Sequence, residues 1–122
     1  MYKLNVETEF SAAHRLPEYP GVCKRVHGHN WRIRATVGAK KLEANGMAID
    51  LVDVRELLET CVQPLDHQVL NEVPPFDQQH PTSENLARYI YDWLKKELPT
   101  PVQVIQVEVF ETEKFSVTYS ED

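Results

Sequence analysis

No stretch of this chain is apolar for the roughly 20 residues that a membrane-spanning helix needs. Its first ten residues, MYKLNVETEF, alternate polar and apolar with acids among them, so they lack the apolar core of a signal peptide. Cysteine is scarce: Cys23 and Cys61 are the only two. Without a secretory signal they read as free thiols of a reduced, cytoplasmic protein rather than a disulfide framework. Positive charge is also short, with 13 Lys and Arg against 19 Asp and Glu, a formal net charge of -6. That balance gives no basic footprint for a nucleic-acid backbone, although a local basic patch could still serve a small anion. Repeats at a solenoid period and low-complexity runs are absent too. What is left is ordinary globular composition, 42% hydrophobic in 122 residues, enough for one domain with a real core.

The apolar pattern then divides the chain. Tyr2, Leu4, Val6, Thr8 and Phe10 alternate with Lys3, Asn5, Glu7 and Glu9, which predicts a half-buried strand. After a loop with Pro17, Pro20 and Gly21, a second alternating run over about 28–40 puts Trp31, Ile33, Ala35 and Val37 on one face. Asn45–Gly46 marks a turn, and Asp53 is a candidate N-cap for a helix with the stripe Val54, Leu57, Leu58, Cys61 and Val62, closed by Pro64. Thr82 is the N-cap candidate of a second helix carrying Leu86, Tyr89, Ile90, Trp93 and Leu94, which ends before Pro99 and Pro101. Ile105, Val107 and Val109 predict a third strand and Phe115, Val117 and Tyr119 a fourth, turning at Glu113–Lys114. The order ββααββ predicts an α+β domain, a four-stranded antiparallel sheet with two helices on one face. Its other face needs water or another subunit.

Chemistry concentrates in CysLysArgValHisGlyHisAsnTrp, residues 23–31. His27 and His29 lie at i and i+2 of a strand, so they project together, on the parity of Trp31, Ile33 and Ala35. A single histidine there reads as a core residue bonded to a carbonyl; two side by side are a good start on a zinc site. His14, beyond the first strand, can supply a third nitrogen if the two strands pair. Three histidines leave one position open, as catalytic zinc requires. Cys23 would close the site as a fourth ligand, leaving a structural staple, or stand off the metal as a reactive thiol.

LeuAspHis at 65–67 offers that thiol a partner, with Asp66 orienting the His67 imidazole if the loop allows; the bland reading is a surface loop. His80 reads as a loop residue and Cys61 as packing on the helix stripe. Glu111 continues the parity of Ile105, Val107 and Val109 to the strand end, where a carboxylate either meets water or binds a ligand edge with paired N–H donors.

Together with PheSerAlaAlaHisArgLeu at 10–16, ProThrSerGluAsn at 81–85 and PheGluThr at 110–112, these motifs resemble the 6-pyruvoyltetrahydropterin synthase family, most closely its bacterial 6-carboxytetrahydropterin synthase (QueD) branch. The resemblance runs over nearly the whole chain, and a cysteine, three spacers and HisGlyHis are its most specific part. It implies the tunnelling fold, in which subunits join sheets edge to edge into a trimeric barrel and two trimers stack as a homohexamer with active sites between subunits. It implies His14, His27 and His29 as ligands of Zn2+, and Cys23 as the catalytic thiol with Asp66 and His67 as its proton-sharing pair. Glu111 would anchor the pterin's 2-amino and N3 edge, and Thr82 and Ser83 would line the pterin pocket. The implied reaction turns 7,8-dihydroneopterin triphosphate into 6-carboxy-5,6,7,8-tetrahydropterin, acetaldehyde and triphosphate, for queuosine and 7-deazapurine synthesis. Cys23 does not separate this from the 6-pyruvoyl reaction; a structural zinc module and a pterin-binding protein without catalysis are the readings of other classes. Relatives often carry glycine after the cysteine where this chain has Lys24, which bears on the shape of the loop. Lys24 and Arg25 could attract the triphosphate or form a solvated pair.

Overall fold

The alternation that begins at Tyr2 makes a strand, β1 (Tyr2–His14), longer than the pattern by four residues, whose even-numbered side chains turn inward: Val6, Phe10, Ala12 and His14 are buried. A computed structural model describes residues 1–17 and 25–121 of the chain. β2 (His27–Ala39) runs antiparallel to β1 from Tyr2 opposite Ala39 to His14 opposite His27. That register sets Trp31, Ile33, Ala35 and Val37 on the inner face, each with no exposed surface. The helices α1 (Leu51–Val62) and α2 (Ser83–Glu97) cover this face, α1 lying on β1 and α2 on β4 (Gln103–Phe110) and β5 (Ser116–Tyr119). Val54, Leu58, Cys61 and Val62 of α1 and Leu86, Ile90 and Leu94 of α2 are buried, as their spacing predicts. Each fully buried aliphatic side chain contributes about 1.5–3 kcal/mol of transfer free energy.

The outer face carries the opposite parity and is polar. Arg34 stands directly opposite Glu7, donating from Nε to Oε2 at 2.7 Å, and Arg32 and Glu108 extend the set at 3.5 and 3.9 Å. Thr36 donates to Asn5 across the same strand pair at 2.6 Å. Cross-strand pairs of this kind contribute only tenths of a kcal/mol to about 1 kcal/mol each. They hold register while leaving this face wet or free for another surface.

Three expectations change. The sheet has five strands, in the order β3-β1-β2-β4-β5, because a two-residue strand β3 (Gln68–Val69) lies parallel to Ala12–Ala13 of β1. Two residues are too short to show a period, so a four-stranded antiparallel sheet is what the pattern predicts. Ile105 does not share the inward parity of Val107 and Val109: a bulge opposite Thr36 and Val37 gives the inner place to Val104. Ile105 turns instead toward Gly38, where an added Cβ would stand 2.9 Å from Ile105 Cδ1. Finally, the N-cap of α1 is Asp50, not Asp53, with the Asp50 carboxylate accepting from the Val52 amide at 2.9 Å. Asp53 sits in the first turn, where its charge faces the positive end of the helix dipole.

Thr82 is the N-cap of α2 as predicted, its hydroxyl accepting from the Asn85 amide at 3.1 Å. The Asn45–Gly46 turn also forms, with Gly46 at φ +85, a value that suits glycine. Chemical denaturation separates the two aspartates: Asp50→Ala should lower stability by about 1 kcal/mol, whereas Asp53→Ala should lower it by less than half as much. Equal losses would contradict the assignment of the cap.

Candidate metal and ligand site

The β1–β2 register ends on a histidine pair. His14 closes β1 and faces His27 at the start of β2, and His29 stands one inward position further along. All three share the inner parity of Trp31, so they gather at the end of the core. His14 is 1% exposed and His29 17%. Trp31 forms their floor, edge-on to both His14 and His29 at 5.1 and 5.2 Å between ring centroids, stacked on Phe10 and donating from its indole N–H to the Ala12 carbonyl at 3.2 Å.

The tautomers follow from the partners. A carbonyl can only accept, so His14 donates from Nδ1 to Pro81 O and His27 from Nδ1 to Arg25 O, both at 2.8 Å. In neutral rings this leaves both Nε2 atoms as lone pairs, and they point at one another across 3.1 Å. The third, Nε2 of His29, is buried and makes no hydrogen bond among the described residues. Glu111, at the end of β4, adds an oxygen 3.1 Å from His29 Nε2 and 3.4 Å from His14 Nε2. One donor atom from each of the four residues lies within 4.8 Å of every other.

Burying lone pairs tip to tip is unfavourable unless a cation draws them together. Tetrahedral coordination by imidazole nitrogens at 2.0–2.1 Å requires donors roughly 3.3 Å apart, close to the 3.1 Å seen between His14 and His27. The outward Nδ1–H bonds are those that orient metal-bound histidines. The residues therefore fit a divalent metal ion of the zinc type. Burial also holds the His14 and His29 imidazoles below their ordinary value of 6.5, outweighing the Pro81 carbonyl at His14 and the Glu111 carboxylate at both, which favour protonation. Both rings are thereby kept in the neutral form that a metal needs.

Asp66 and His67 come to the neighbouring edge of the sheet. A 3₁₀ turn (Gln63–Leu65) containing Pro64 follows α1, and β3 then ties the chain to β1. Ser11 fixes the pair twice: its amide donates to Asp66 Oδ1 at 2.9 Å and its carbonyl accepts from the His67 amide at 2.6 Å. His67 takes φ +58, a left-handed conformation uncommon for a side-chain-bearing residue, and its Nδ1 lies 2.9 Å from Asp66 Oδ2. The Ser11 amide first, and His67 second, hold the Asp66 carboxyl below the usual range, so it stays ionised beside the imidazole. Adjacent residues therefore do face each other here. His67 and His29 line one cleft of about 440 Å³ with Ser11, Ala13 and Gly28. A second cleft, of about 600 Å³, runs from His29 past Asn30 and Arg32 to Glu111 and Thr112.

Thr82 and Ser83 lie at the start of α2, beside the Pro81 carbonyl that holds His14, and neither lines these two clefts. Cys23 and Lys24 lie outside the described residues. Cys61 is buried as predicted, and burial pushes its thiol up to about 12, so it takes no part in thiolate chemistry. The residues that sequence reasoning missed act through their backbones: the carbonyls of Pro81 and Arg25, and both peptide groups of Ser11. Side-chain type carries no signal for such roles.

Acidification tests the buried imidazoles. Because the folded state holds His14 and His29 below 6.5, the unfolded chain binds their protons first as pH falls through that value. Metal-free protein should thus lose stability below pH 6.5, and His14→Asn, measured by urea denaturation across the same range, should show a shallower loss. An unchanged slope in the variant would contradict the assignment.

Comparison with known proteins agrees with the geometry. The family model described as 6-pyruvoyl tetrahydropterin synthase matches residues 3–122. A human 6-pyruvoyl tetrahydrobiopterin synthase is 38% identical over 124 residues, spanning 90% of this chain and 85% of that protein. A Bacillus subtilis 6-carboxy-5,6,7,8-tetrahydropterin synthase is 34% identical over 114 residues, 84% of this chain and 76% of its own. The solved structure of Caenorhabditis elegans 6-pyruvoyl tetrahydropterin synthase superimposes with a TM-score of 0.89 at 28% identity, covering 99% of this chain and 96% of the other. The two-helix, five-stranded arrangement is the tunnelling fold of those enzymes, and the chain belongs to the 6-pyruvoyl tetrahydropterin synthase family.

Proposed function

We propose that this chain is a zinc-dependent lyase that converts 7,8-dihydroneopterin triphosphate and one water to 6-carboxy-5,6,7,8-tetrahydropterin, acetaldehyde and triphosphate. The observation that carries the reading is the convergence of three imidazole nitrogens at the end of the core, with His29 lining two adjoining clefts. His14, His27 and His29 would hold the zinc, which supplies a Lewis acid able to acidify the hydroxyls of a substrate side chain.

The protein's own groups do the rest in this reading. Cys23, assigned from the family motif, takes a proton from the pterin side chain as thiolate. His67 relays protons, a role typically worth on the order of 10²- to 10⁴-fold. Asp66, kept ionised by the Ser11 amide, fixes the imidazole and stabilises its protonated form. Glu111 accepts from the 2-amino and N3 edge of the pterin, the bidentate pairing that suits a carboxylate. Thr82 and Ser83 line the pterin pocket from α2 once subunits meet. A cytoplasmic homohexamer, a dimer of trimers with sites completed between neighbours, accounts for the exposed edge strands; among the described residues no helix is long and apolar enough to cross a membrane.

The B. subtilis relative supports the 6-carboxy product, and the human relative supports a second reading, a 6-pyruvoyl product with release of triphosphate alone. Mass spectrometry of the products decides between them. Incubation with 7,8-dihydroneopterin triphosphate should release acetaldehyde, and Cys23→Ala should lose at least 10²-fold in turnover while retaining about one zinc per chain. A pyruvoyl product would establish the second reading. A Cys23→Ala protein that sheds its metal and unfolds under chelation would instead mark a structural zinc module.

A further inference from the structure

The donors gathered at the end of the core number four, and the fourth is not a histidine. Glu111 Oε1 lies 3.1 Å from His29 Nε2 and 3.4 Å from His14 Nε2, bracketing the separation of roughly 3.3 Å that tetrahedral coordination imposes on neighbouring ligands. The close approach to His29 is not a hydrogen bond, since His29 Nε2 has no such partner. At His14 the Nδ1–H is committed to Pro81, so the neutral ring meets the carboxylate with a lone pair. The carboxylate oxygen, the His14 Nε2 lone pair and the unpartnered His29 Nε2 lie close enough together to serve as ligands of one cation.

The backbone of Glu111 is held and its side chain is partly exposed. Its amide donates to the Phe115 carbonyl at 3.2 Å, and Thr112 Oγ1 caps the following turn by accepting from the Lys114 and Phe115 amides. The side chain is 34% exposed and also lines the cleft of about 600 Å³. It thus borders both the histidine cluster and that cleft.

We propose that Glu111 is an exchangeable fourth metal ligand: it closes the site when the cleft is empty and leaves the metal to bind the incoming pterin edge. The exchange half rests on the pterin reading above; the ligand half does not. The device couples substrate arrival to opening of a coordination position, so the metal is not left open to adventitious anions or thiols.

Cobalt(II) tests both halves without any turnover. The metal-free full-length protein, Glu111→Gln and Glu111→Ala are titrated with Co2+, with far-UV circular dichroism confirming that each variant is folded. Both variants should bind at least tenfold more weakly, since even partners outside the coordination sphere are worth 10- to 100-fold, and their visible d–d band should differ from that of the wild type. Pterin without a C6 side chain, which offers the guanidine-like edge but no hydroxyls for the metal, should then shift the wild-type band toward that of Glu111→Gln. Identical bands and affinities in wild type and variants would overturn the ligand assignment. A wild-type band unmoved while equilibrium dialysis shows pterin bound would overturn the exchange. Failure of pterin to bind at all would overturn the exchange together with the pterin reading, leaving the cobalt comparison to decide the ligand.

Discussion

The buried hydrogen bond from His14 Nδ1 to the Pro81 carbonyl, 2.8 Å long, joins the end of the first strand to the residue that precedes α2 and its cap. It fixes the His14 tautomer, turns the Nε2 lone pair toward His27, and so decides what the end of the core can bind. His27 is fixed in the same way by Arg25. Without these two carbonyls the rings could pair as donor and acceptor, and the cluster would be an ordinary histidine network. With them, the His14 and His27 Nε2 lone pairs meet beside the unpartnered His29 Nε2 and the Glu111 carboxylate, at a partly buried end of the core. Trp31 beneath and the antiparallel register behind hold the rings to that arrangement.

Much of this was legible in the residues. Alternation alone assigned both long strands, and the parity of His27 and His29 with Trp31 placed them on the buried face. The third ligand required only that β1 and β2 pair, which they do with His14 opposite His27. The helix stripes and the Thr82 cap followed from spacing. What was not legible depends on the backbone or on very short segments. β3 has two residues and no period, and its pairing with β1 adjoins His67, which lines the cleft beside His29. The bulge that turns Ile105 away from the core comes from a register shift between neighbours, not from any residue type in the strand. Asp50 and Asp53 are chemically the same cap candidate, and only the chain's entry angle chooses. Pro81 and Arg25 act through carbonyl groups that every residue has.

The site and its surroundings divide the work among their groups. Ser11 holds the Asp66 carboxylate and the His67 amide, and backbone carbonyls orient the His14 and His27 rings. Glu111 sits just past the end of β4 with about a third of its side chain exposed. A family assignment supplies the reaction class, but the pairing of three imidazoles with one partly exposed carboxylate comes from this chain's own geometry.

X-ray absorption at the zinc edge, on zinc-loaded wild-type protein, tests the central claim that the imidazole cluster holds the cation with the Cys23 thiol off it. Only nitrogen and oxygen scatterers are predicted in the coordination sphere, at about 2.0–2.1 Å with the multiple scattering of imidazole rings. A sulfur scatterer at about 2.3 Å would contradict the account and make the site a closed staple.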